Sequence, residues 1–182
     1  ERTRVSVLED CVAPEAVQAQ GRLHEPEALH MRLIELEALA DSQSDVDAQH
    51  VSIRLISEGR LLKAFMYLDN PLDPVPELQG RLVRVQGVYA AAIPDSSDPH
   101  PTLWIPGPSP IKDQGPLSAA PGFQLPLMAV EELESAPPQT PIRVAGIVKN
   151  SLPGKSLTVW DDTGQIEIQS LQLQPVQPGD RV

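Results

Sequence analysis

Two segments of the chain alternate branched apolar and polar residues around a glycine: Val83-Arg84-Val85-Gln86-Gly87-Val88 and Ile142-Arg143-Val144-Ala145-Gly146-Ile147. A period of two buries one face of a strand and wets the other. A mid-strand Gly lets the ribbon bend around the corner of a small barrel. The recurrence predicts that one β unit is used more than once, and so two small domains rather than one.

The alternation extends to a full strand series. Arg4 to Leu8 reads as a short strand, and Pro14 to Pro26 as a connector. Arg32 to Ala40 has the Leu, Glu and Ala content of a helix. Its phrase Ile34-x-Leu36-x-Ala38-Leu39 nevertheless matches Ile142-x-Val144-x-Gly146-Ile147, which predicts a strand. His50 to Ile56 and Leu61 to Leu68 alternate around the turn Ser57-Glu58-Gly59-Arg60 and form a hairpin. A connector from Asp69 to Gln79 has room for one helical turn. Arg81 to Ala91 and Thr102 to Ile105 then complete five strands. With the longest connector between the third and fourth, this is the strand order of an OB-fold barrel.

Residues 109–126, rich in Pro and Gly, predict a domain boundary, and Leu127 to Ser135 a short helix. A second series follows in Pro141 to Lys149, Ser156 to Trp160 and Gln165 to Gln169, with Asp161-Asp162-Thr163-Gly164 as a hairpin turn in which Gly164 supplies a positive φ. Gly179-Asp180-Arg181-Val182 resembles Gly80-Arg81-Leu82-Val83, the entry to the fourth strand of the first unit. The expected architecture is all-β: tandem OB-like Greek-key barrels, the second incomplete. The expected divisions are 1–25 (strand and connector), 26–112 (first barrel), 113–126 (linker) and 127–182 (second barrel). Open strand edges make a homodimer an expected possibility.

Composition narrows the function. Only 3% of the 182 residues are aromatic, so cores must be built from Leu, Val, Ile and Ala. The net charge of −11 opposes non-specific attraction to nucleic acid or anionic lipid. No apolar run approaches the length of a membrane-spanning helix, so no membrane insertion by this segment is expected. Cys11 is the single cysteine, which excludes a disulfide or thiolate cluster within one chain. The chain opens at Glu1 rather than Met and so reads as a trimmed or excised segment.

Ile142 to Val148 followed by Leu157 to Ile168 resembles the first three strands of nucleic-acid-type OB domains. Taken from Met31 to Val182, the chain is similar to the tandem OB-like segments of bacterial membrane-bound sensor histidine kinases. The residues that carry this are Val83 to Val88, Leu103-Trp104-Ile105-Pro106, the Pro-rich stretch 109–126 and Val130-Glu131-Glu132-Leu133. The resemblance implies an extracytoplasmic (periplasmic), sensory segment without catalytic residues.

Candidate chemistry is sparse. His24, His30, His50 and His100 form no metal-ligand spacing, and Asp161-Asp162 lacks the further ligands of a calcium loop, so no metal or cofactor is expected. No nucleophile motif is present, and the chain reads as non-enzymatic. Trp104, Trp160, Tyr67, Tyr89 and Phe65 could stack on bases, yet 14 Lys and Arg stand against 25 Asp and Glu. The candidate surface for an unidentified ligand or protein partner is therefore Arg54, Lys63, Arg84, Tyr89, Trp104 and Trp160. The rival function is single-stranded nucleic-acid binding.

Overall fold

The computed structural model describes residues 14–71, 74–93 and 98–182. The predicted strand at Arg4 to Leu8 and Cys11 lie outside the described residues. Among the described residues the strands form two sheets, one of seven strands and one of three.

The first sheet closes on itself. Strand β2 (Arg32–Asp47) pairs antiparallel with β3 (His50–Ser57), and β3 with β4 (Arg60–Tyr67). Strand β4 pairs parallel with β6 (Thr102–Ile105), β6 antiparallel with β5 (Arg81–Ala90), and β5 antiparallel with β2. This circuit is an OB-like barrel. Alternate residues point inward, so Ile34, Leu36, Ile53, Leu55, Leu62, Met66, Val83, Val85 and Leu103 form one core. The element Arg32 to Ala40 is a strand, as its match to the second unit predicts; pairing with β5 overrides its helical propensity.

Strand β2 serves two partners by bending. Its first half lies on β5 and its second on β3, and the register shifts between Ala40 and Ser42, placing Asp41 at a bulge. The glycine of the repeated phrase has a different purpose from the bend it was expected to provide. A Cβ on Gly87 would lie 2.7 Å from the carbonyl oxygen of Trp104 and 2.8 Å from Leu103 Cγ, so Gly87 lets β6 approach closely. A Cβ on Gly146 would likewise strike the carbonyl oxygen of Trp160.

Two strands were not legible in the pattern. Strand β1 (Val17–Gln18) pairs parallel with β2, and β7 (Ile111–Pro116) pairs with the first half of β5. Helix α1 (Pro26–Leu29) is a single turn that seats Leu29 in the core, where Leu23 and Ala19 join it. Between β7 and the second sheet the chain forms 3₁₀ turns, the longest at Val130–Ser135. That turn stands where a short helix was expected.

The second sheet, β8 (Ile147–Leu152), β9 (Ser156–Asp161) and β10 (Gly164–Gln169), repeats the first in register. Val148 faces Val159 as Ala40 faces Leu55, and each pairing is followed by a one-residue bulge. Arg181 bridges Ile147 as Leu82 pairs with Leu39. The Gly179 N–H donates to the Val148 carbonyl at 2.9 Å, as the Gly80 N–H does to that of Ala40 at 2.8 Å. The likeness of residues 179–182 to 80–83 is thus expressed as pairing.

What differs is closure. Ile34 and Val83 are 0% and 1% exposed, whereas their counterparts Ile142 and Val182 are each 42% exposed. Val148 and Val159 are buried, but Ile166 and Ile168, the counterparts of buried Leu62 and Ala64, are only half-buried. The described part of the second unit is an open half-barrel.

Candidate functional site

The outward residues of β3, β4 and β6 build a face of rings and charges. Tyr67 stands opposite His50, Phe65 lies between Ser52 and Trp104, and Lys63 lies between Arg54 and Thr102. Phe65 and Trp104 stack with centroids 5.1 Å apart and planes 24° from parallel, and Trp104 is 51% exposed. His50 and Tyr67 make a tilted contact at 5.5 Å. Period two in adjacent strands produces this arrangement, since every residue flanking an inward one points out.

The cations of this face are occupied. Arg54 Nη1 donates to Asp41 at 3.0 Å and to the Leu171 carbonyl at 2.7 Å. Asp41, with a side chain only 2% exposed, also accepts the Leu173 N–H at 3.1 Å, so the bulge of β2 clasps the segment after β10. Lys63 Nζ donates to Asp98 at 2.9 Å. That bond, with the His100 N–H, holds the Asp98 carboxyl below the usual carboxylate range.

Of the residues expected on one surface, Arg54, Lys63 and Trp104 come together. Arg84 lies on another side of the barrel, paired with Glu37 at 2.6 Å across β2 and β5, and that carboxylate raises its pKa. Tyr89 is not on the surface at all. It is 2% exposed because it occupies an inward position of β5, and burial pushes its phenol up. Trp160 sits on β9 with Lys149 Nζ 4.6 Å over its ring. The counter-ions Asp41 and Asp98 were missed, because nothing in the local pattern pairs a residue with one many positions away.

Asp161 makes the expected self-stabilised turn. Its carboxylate accepts the Thr163 hydroxyl at 2.6 Å, the N–H of Thr163 at 2.8 Å and that of Gly164 at 3.0 Å. It also accepts the Val130 N–H at 2.9 Å, tying the 3₁₀ turn to the hairpin. These bonds, the Thr163 hydroxyl first, lower its pKa to about 2. Gly164 does not supply the expected positive φ; a Cβ there would lie 3.3 Å from Val130 Cγ1. Among the described residues, no three His, Cys, Asp or Glu side chains cluster as metal ligands, and no helix is long and apolar enough to cross a membrane.

No family model matches the chain, and no curated protein matches it in sequence. Solved structures with partial similarity include a replication protein A heterotrimer bound to single-stranded DNA. It shares 14% identity over 78% of this chain and 40% of that one, with a TM-score of 0.34. A second, from work on structural mimicry for functional antagonism, shares 11% identity over 84% and 80% of the two chains, with a TM-score of 0.27. This chain spans about two fifths of the length of the first. At these scores neither carries an argument, and the class, an OB-like barrel followed by a second sheet that repeats part of it and is open among the described residues, rests on the pairing described above.

Proposed function

We propose that the chain is a non-enzymatic interaction module that engages a ligand or protein partner through the ring-bearing face of β3, β4 and β6. In this proposal it is a segment of a larger bacterial signalling protein and works outside the cytoplasm. The observation that carries the binding half is that the face presents exposed rings while Arg54 and Lys63 are each held by a carboxylate. The signalling half is supported by the sequence resemblance of Val83 to Val88, Leu103 to Pro106 and the Pro-rich stretch to sensor-kinase segments.

Single-stranded nucleic acid is the second reading. The Phe65–Trp104 stack favours it, because Phe65 lies on β4, one of the second and third barrel strands whose face OB barrels use for oligonucleotides, and Trp104 extends that face from β6. The charge balance, 14 Lys and Arg against 25 Asp and Glu, supports the first. Anchoring a strand requires cations free to replace the counter-ions of several phosphates. Anisotropy of a labelled oligothymidylate, titrated at low salt, tests this. We expect no saturable binding at tens of micromolar protein, roughly the weak end of non-specific affinities. Micromolar binding that weakens steeply with salt would replace the first reading by the second.

A further inference from the structure

A cleft of about 620 Å³ opens at one end of the closed barrel, a volume usual for small-molecule sites. Its walls are largely apolar, with Leu23, Pro26, Leu62, Ala91 and Pro101 among them, and its polar groups are Tyr89, Arg60, His100 and Glu27. Tyr89 is 98% removed from solvent, yet its hydroxyl has no hydrogen-bond partner among the described residues. No fully enclosed side-chain N or O of those residues lacks a partner, so this hydroxyl opens onto the cleft. A buried phenol with an unused O–H is a donor held ready in an apolar setting.

Arg60 supplies the second element. Arg54, Lys63, Arg81 and Arg84 each form an ion pair, but Arg60 forms none among the described residues. It stands at the hairpin turn beside Gly59, close enough to Tyr89 for its charge to oppose the effect of burial on the phenol. Glu27, the carboxylate of the lining, is exposed on α1. An apolar cavity with one free guanidinium and one free hydroxyl selects a ligand with an apolar body and an anionic head.

We propose that this cleft binds a small organic carboxylate, its head held by the Arg60 guanidinium and the Tyr89 hydroxyl and its body against Leu23, Leu62 and Pro101. The site is separate from the ring-bearing face and does not depend on what that face binds.

The test uses 4-phenylbutyrate, with 4-phenylbutanol and 4-phenylbutylamine as comparators, followed by residue-resolved NMR on the intact chain. We expect saturable binding of the carboxylate with shifts centred on Arg60, Tyr89 and Ala91, and binding of the amine at least about tenfold weaker. Arg60→Gln should weaken the carboxylate about tenfold and leave the alcohol unchanged, and Tyr89→Phe should weaken it about fivefold. Arg60 lies on an exposed turn, so its variant keeps the test intact if Tyr89→Phe disturbs the core. Equal binding of acid and amine, wild-type affinity in Arg60→Gln, or no saturable binding at millimolar acid would each overturn the proposal.

Discussion

Replacing Asp41 with Ala is expected to lower stability by about 3 kcal/mol, the range for removing one partner of a buried ion pair. The carboxylate is 2% exposed and takes three roles at once: counter-ion to Arg54, acceptor for the Leu173 N–H and bulge residue of β2. Its loss leaves a largely buried guanidinium without its charge partner and a backbone N–H without its acceptor. Arg54 is 20% exposed and can turn partly to water, which keeps the cost at the lower end of the range. Asp41→Asn keeps the volume and one acceptor and should cost less. Urea unfolding measures the difference, and the amide of Leu173 should exchange faster in the Ala variant. A shift below about 0.5 kcal/mol, the usual surface value, would show that the clasp contributes nothing.

Gly87→Ala is the second large effect. The added Cβ meets a backbone oxygen at 2.7 Å and a core Leu at 2.8 Å, and neither is the free end of a flexible side chain. Either β6 moves away from β5 or the barrel opens locally, at a cost of about 2–3 kcal/mol as for other overpacked cores. Gly122→Ala, with nothing within 4 Å of the new Cβ, is the control and should be near neutral. Thermal unfolding of the two variants side by side separates crowding at β6 from the general effect of replacing a glycine.

The periodic parts of this fold were legible. Strands β2 to β6, β9 and β10 follow their alternation, and even the register of residues 179–182 is foreshadowed by their likeness to 80–83. Of the expected strand Pro141 to Lys149, only residues 147–149 lie in β8, because among the described residues 141–146 have no neighbouring strand to pair with beyond the bridge of Arg143 to Leu127. The illegible parts are those fixed by distant partners. Strand β7, Ile111–Pro116, contains Gly and Pro and alternates poorly, and it is a strand because β5 has a free edge beside it. Trp104 and Phe65 could be recognised as rings, but their stacking depends on the parallel pairing of β4 with β6, which no local pattern encodes. Tyr89 shows the opposite failure. Alternation from Val83 and Val85 through Gly87 puts it inside, and its polar tip disguised that position.

The second sheet, open among the described residues, also bears on function. Among the described residues β10 pairs with β9 alone and Ile142 is 42% exposed, so this sheet offers a strand-pairing surface beside the clasp that joins it to the closed barrel. The two units should therefore differ sharply in local stability although they share a register.

Residue-resolved hydrogen exchange of this chain under native conditions tests that claim, one β unit closed in its first copy and open among the described residues of its second, most directly. The hydrogen-bonded amides of β2, β5 and β6 should exchange only through global unfolding. Those of β10 should open locally and exchange about a hundredfold faster or more. Protection in β10 equal to that in β2 and β5 would contradict the account, because it would mean that the second unit is closed as completely as the first.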